Sequence, residues 1–66
     1  MVYIGNRLRK LRDARFLSQR ELAKDAGLSP TTIYKLENNQ VEPHPRTIRK
    51  LAEALQVEPS ELVNRA

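Results

Sequence analysis

Apolar residues recur along this chain at the three- and four-residue spacings that bury one face of a helix. Ile4, Leu8, Leu11 and Ala14 mark the first such face. Gly5 or Asn6 can cap it, unless Val2-Tyr3-Ile4 begins as a short extended arm. Ser18-Gln19-Arg20-Glu21 is a capping box and predicts the start of a second helix. Leu17 and Leu22 stand at the staple positions around it, and Ala23 and Ala26 are small enough for another helix to cross closely. Gly27 ends that helix, since glycine takes the left-handed conformation without steric cost. Ser29-Pro30 opens a third helix, with serine as cap and proline in the first turn. Ile33 and Leu36 point inward, and Asn38-Asn39 closes it. Val41-Glu42-Pro43-His44-Pro45 is a loop, because residues before proline avoid the helical region. Pro45 then begins a fourth helix with Ile48, Leu51, Ala52 and Leu55 on one stripe, and Glu58-Pro59 a short fifth with Leu62 and Val63. The expected core is Leu8, Leu11, Leu22, Ala23, Ala26, Leu28, Ile33, Leu36, Ile48, Leu51, Leu55, Val57 and Leu62.

These elements predict an all-α, five-helix domain spanning 1–66, in which helices two and three (about 18–38) form a helix-turn-helix. The second helix of that motif is built to enter the major groove of DNA. With 66 residues, one domain is the only sensible count. A domain of that size buries only about 60% of its unfolded surface. The formal net charge of +4 favours a polyanionic partner. Arg7, Arg9, Lys10, Arg12 and Arg15 crowd the first helix and Arg46, Arg49 and Lys50 the fourth, whereas Glu53, Glu58 and Glu61 gather towards the C-terminus. The chain has no cysteine, so neither a disulfide framework nor a thiolate metal site is expected. No segment reads as a signal peptide or a membrane span, which sets the expected location as cytoplasmic, on the nucleoid when bound to DNA.

The chain resembles the Xre/Cro-repressor-like helix-turn-helix family, also called lambda-repressor-like domains. The resemblance runs from about Asn6 to Val63. It rests on Leu17-Ser18-Gln19, Leu22-Ala23, Gly27-Leu28-Ser29, Ile33, Glu37-Asn38, Pro43, and Leu51-Ala52 with Leu55. Phe16, Asn39 and Gln56 depart from it, each standing where the family usually has glycine. The resemblance implies a transcriptional regulator, read here as a repressor, that recognises double-stranded DNA as a homodimer on a palindromic operator. Half-sites would lie about one turn, ~34 Å, apart.

DNA contacts divide into those to phosphate, which position, and those to bases, which specify. By the resemblance, Gln19 in the first turn of helix two holds a phosphate, as helix N-termini favour. Pro30, Thr31, Thr32, Tyr34 and Lys35 form the base-reading set. Proline offers only apolar contact, such as with a thymine methyl; threonine offers that or a hydrogen bond; lysine can donate to guanine O6 and N7. Tyr34 can also bond a phosphate or stack over sugar. Asn38, Arg46 and Arg49 are further phosphate candidates. Arg12 and Glu37 match the family's structural ion pair between helix one and the recognition helix. Tyr3, Phe16, Leu62 and Val63 are the candidate dimer contacts. The bland alternatives are a solvated Gln19, first-turn threonines with no ligand, and basic residues that only solvate a helix.

His44 lies between two prolines and could cap helix four. It has no partners for metal binding or catalysis. Ser18 and Ser29 read as caps, with no acid–base constellation beside them. There is no phosphate loop or zinc spacing, so the expectation is a non-enzyme without cofactor or metal. The alternatives are a protein-interaction or antitoxin-like module of the same fold, with a protein partner, and a low-specificity DNA binder.

Overall fold

A computed structural model describes residues 3–63. Within them the chain forms α1 (Gly5–Ala14), α2 (Gln19–Ala26), α3 (Pro30–Glu37), α4 (Pro45–Leu55) and α5 (Pro59–Leu62), and no strand. Local chemistry sets the starts. Ser18 accepts from the Glu21 amide (3.0 Å) while the Glu21 carboxylate accepts from the Ser18 amide (2.8 Å), closing the capping box of α2. Ser29 accepts from the Thr32 amide at 3.1 Å, with Pro30 as the first residue of α3. His44 occupies the cap position of α4 but makes no side-chain cap bond there, so the expected capping role is corrected. Pro45, whose missing amide proton needs no partner in the first turn, starts that helix without it.

The first four helices end alike. Phe16, Gly27, Asn39 and Gln56 take left-handed φ values of 56°, 70°, 56° and 59°. In each case the next amide turns back to a carbonyl five residues earlier: Leu17 to Arg12 (3.2 Å), Leu28 to Ala23 (2.8 Å), Gln40 to Lys35 (2.9 Å) and Val57 to Ala52 (3.0 Å). This is the Schellman arrangement, which satisfies carbonyls left open at a helix end. The three departures from the family's glycines therefore sit at left-handed positions, where the glycine would have been unstrained.

The start of α1 differs from expectation. Neither Gly5 nor Asn6 caps it; Ile4 holds the cap position without a side-chain bond. Instead the Gly5 amide donates to Asn39 Oδ1 at 3.0 Å, from the turn after α3. Asn39 thus does what a glycine there could not: it satisfies an orphan amide of another helix. Gly5 is buried at this crossing, and a Cβ on it would overlap the Glu37 carbonyl oxygen. Two residues further along α1, Arg7 Nε donates to the Glu61 carbonyl oxygen at 2.9 Å and ties α1 to α5.

α2 packs on α3 and α4, α1 packs on α3 and α5, and α5 closes against α4. Ile4, Leu8, Leu22, Ala23, Ala26, Ile33, Leu36, Leu51, Ala52, Leu55 and Leu62 form the buried core. Ile4 and Ala52 join the expected set. Leu11, Leu28, Ile48 and Val57 are only partly buried and pack around its edge. That edge position suits Leu28 and Val57, which follow the left-handed turns and cover the helix ends.

Candidate nucleic-acid interface

With Ile33 and Leu36 buried, the eight-residue α3 turns its opposite face outward. Thr31, Tyr34, Lys35 and Asn38 lie at helical spacing along that face, and all are exposed, with Pro30 exposed at its N-terminal end. Thr32 stands at the side, half-buried, and its hydroxyl lies 2.8 Å from Ser29 Oγ. Asn38 curls back, its side-chain amide donating to the Tyr34 carbonyl at 2.8 Å.

Behind this face lies a polar brace. Arg12 Nε donates to Glu37 Oε2 at 2.5 Å and Nη2 to Glu37 Oε1 at 3.0 Å, a two-pronged pair joining α1 to the end of α3. The side chains are 13% and 4% exposed. Arg12 Nη1 also donates to the Leu17 carbonyl at 2.8 Å, which fastens the turn between α1 and α2. Gln19 Nε2 donates to Glu37 Oε1 at 3.1 Å and brings α2 into the same cluster. The hydrogen bond with Glu37 raises the Arg12 pKa above the usual arginine value, against an opposing desolvation effect, so the guanidinium stays charged.

The structure thus brings Arg12, Gln19 and Glu37 together, and sets the exposed face of α3 apart from them. Gln19 is half-buried at the start of α2, with one of its two amide N–H groups directed to Glu37. Arg46 and Arg49 are exposed on α4 and line a shallow concavity with His44, Pro45 and Thr47. Of the candidate dimer contacts, Phe16 is 92% exposed and Tyr3 48%. Leu62 is 1% exposed, so of the two roles expected of it the structure gives it the core one; Val63 packs against the same core. A residue already covered inside its own domain has little surface left to offer a second copy.

Several connections escaped sequence reading. Among them, the Gly5–Asn39 bond spans 34 positions and the Gln19–Glu37 bond 18. The first left a trace, a hydrogen-bonding asparagine where glycine would fit the backbone better. The second left none.

Comparison with known proteins places this geometry. A helix-turn-helix family model matches residues 8–62. The HTH-type transcriptional repressor RghR of Bacillus subtilis is 43% identical over 58 residues, which cover 86% of this chain and 43% of that protein. The chain spans about two fifths of the length of the curated relatives it matches. Among solved structures, the restriction-modification controller protein C.AhdI from Aeromonas hydrophila is similar with a TM-score of 0.88 and 44% identity, covering 92% of each chain. The P22 c2 repressor, in complex with synthetic operator 9T, is similar with a TM-score of 0.87 and 29% identity, covering 100% of both chains. From within α1 to the end of α5, then, sequence and architecture agree, and the chain belongs to the helix-turn-helix family in its lambda-repressor-like form.

Proposed function

We propose that this chain binds double-stranded DNA in a sequence-specific manner and regulates transcription, as a repressor, with α3 in the major groove. The observation that carries the reading is the outward face of α3. Thr31, Tyr34 and Lys35 are exposed on one side of a helix whose other side is anchored by Ile33, Leu36 and the Arg12–Glu37 pair. A rigidly held helix with an uncovered polar and aromatic face suits groove insertion. The net charge of +4 and the exposed Arg46 and Arg49 supply attraction for phosphate. Gln19, whose second amide N–H remains for a ligand, and Asn38 are the other phosphate-contact candidates. The P22 c2 repressor on its synthetic operator offers a relative of the same fold that engages DNA.

One recognition helix spans few base pairs, so two copies on a palindromic operator complete the proposal. With Leu62 buried, Tyr3, Phe16 and the partly buried Val63 are the candidate contacts for such a homodimer.

Selection of bound duplexes from a random pool tests the reading, followed by affinity against salt. A defined half-site and a slope of about one log unit per phosphate contacted are expected. A chain that enriches no duplex at low salt defeats it. Lys35→Ala should then weaken binding by about 1–3 kcal/mol and relax preference at one position. Uniform weakening across all sequences would instead favour a low-specificity binder. The 92% exposure of Phe16 favours one second reading, a protein-interaction module, in which salt-independent binding to a protein replaces DNA affinity. Sedimentation that shows a strict monomer both free and on operator DNA removes the dimer from the proposal.

A further inference from the structure

We infer that Asn39 is a positioning residue for α3: its bond to Gly5 fixes the angle at which that helix crosses α1, and through that angle the fit of α3 to DNA. The inference rests on the DNA-binding proposal above. Two fastenings join α1 to the end of α3. Near the C-terminal end of α1, Arg12 grips Glu37 with two prongs. At the start of α1, the Gly5 amide donates to Asn39 Oδ1 at 3.0 Å. Gly5 and Arg12 lie two turns apart on one helix, a separation of about 10 Å. A single fastening leaves α3 free to pivot about it, and a second at that distance removes the pivot. Burial of Ile33 and Leu36 holds α3 down more than it aims it, because hydrophobic attraction is non-directional.

The angle matters because α3 is a lever. Its eight residues span about 12 Å. A pivot of about 10° at its C-terminal end carries its first turn by about 2 Å, beyond the roughly 0.5 Å within which a binding constellation must be held. The residue at the fastening is also one that a turn alone does not require. Asn39 sits at φ 56°, a conformation that glycine takes without strain. Glycine there would ease the backbone and leave the Gly5 amide, buried where α1 meets α3, without its acceptor. The crossing has no slack either, since a Cβ on Gly5 would overlap both the Glu37 carbonyl oxygen and Asn39 Oδ1. One donor, one acceptor and one backbone contact thus set the tilt of α3, and none of them is on its outward face.

Asn39→Gly tests this, because it suits the left-handed turn and removes only the side chain. Residual dipolar couplings of the full chain without DNA should show α3 reoriented against α1. Asn39→Asp, which keeps an acceptor oxygen in the same place, should return the wild-type couplings. On DNA, the ratio of affinities for the selected half-site and for a random duplex should fall about tenfold in Asn39→Gly, the discrimination carried by one base contact. It should recover in Asn39→Asp; taking the ratio cancels the added negative charge, which weakens both duplexes alike through their phosphates. A merely structural Asn39 would lower the melting temperature and leave the ratio of the folded protein unchanged, and that result overturns the inference while the DNA-binding reading stands. So do unchanged couplings in Asn39→Gly, or an Asn39→Asp that behaves like Asn39→Gly. Fast hydrogen exchange of the wild-type Gly5 amide overturns it without any variant. Absence of wild-type binding to any duplex overturns the DNA-binding reading and this inference together.

Discussion

The turn between α1 and α2 and the turn between α2 and α3 follow one backbone path with opposite residues at the centre. Phe16 stands at φ 56° in the first and Gly27 at φ 70° in the second. Both are followed by an amide that reaches back five residues, to Arg12 and to Ala23. At Gly27 a Cβ would meet nothing within 4 Å, so the need for glycine is conformational and not steric. Phe16 carries the same conformation with a ring that is 92% exposed, so it bears the strain without core burial in return. The difference lies in the surroundings. Arg12 Nη1 grips the Leu17 carbonyl at 2.8 Å, while the second turn relies on glycine and the Ser29 cap. The first turn thus has an outside hold that the second lacks.

The largest test removes the outside hold. Arg12→Ala leaves the Glu37 carboxylate buried without its cation, a change worth about 3–5 kcal/mol for a buried pair. Urea denaturation should show that loss. Amide exchange should rise more at Leu17, whose N–H bonds Arg12, than at Leu28 beyond Gly27. Equal loosening of both turns would break the contrast. Arg12→Lys should recover only part of the stability, because an ammonium cannot reproduce the two-pronged bond to Glu37 together with the bond to Leu17.

The next pair exchanges the central residues. Gly27→Ala places a Cβ in the left-handed region and should cost about 1–2 kcal/mol. Phe16→Gly relieves a strain of that size but gives back about 0.5–1 kcal/mol through greater freedom of the unfolded chain. A small net gain in melting temperature is therefore expected for Phe16→Gly, and a clear loss for Gly27→Ala. A loss at Phe16→Gly instead would mean that the exposed ring makes a stabilising contact, such as one with a second copy, and the measurement would then depend on protein concentration.

These two turns also mark where sequence reading succeeds. Caps, staples and the apolar stripes of α2, α3 and α4 involve residues within one or two turns of each other, so their spacing displays them. Ser18–Glu21 and Ser29–Pro30 appear in the structure as read. The Arg12–Glu37 pair became legible only through family resemblance, because its members lie 25 positions apart on separate helices. The Asn39 bond to Gly5 and the Gln19 bond to Glu37 depend on how three helices dock, and no local pattern encodes that docking. His44 shows the opposite limit. Its place at the cap was legible, but its side chain makes no cap bond. On the outward face of α3 the exposed positions could be read from the period, whereas the curling back of Asn38 and the tie of Thr32 to Ser29 could not.

The smallest expected effect separates the two turns by acid. Each leads into a helix capped by serine, but the partner three residues on is Glu21 in α2 and Thr32 in α3. Glu21 accepts the Ser18 amide at 2.8 Å, and this bond, helped by the Ser18 side chain, lowers its pKa below the usual carboxylate value. A carboxylate lowered on folding binds its proton more tightly when unfolded. Its contribution is fully present above the ordinary glutamate value of about 4.3 and is lost as pH falls through the lower folded value. Glu21→Gln removes the titration, so wild type should lead the variant slightly at neutral pH and the gap should close as the pH falls below about 4. Thr32 does not titrate, so amide protection at the start of α3 should not follow that same acid step, while protection at the start of α2 should. Denaturation of both proteins across that range, with exchange read at Glu21 and Thr32, decides it: parallel stability curves for wild type and Glu21→Gln would show that the carboxylate adds nothing to the cap beyond what the neutral amide supplies.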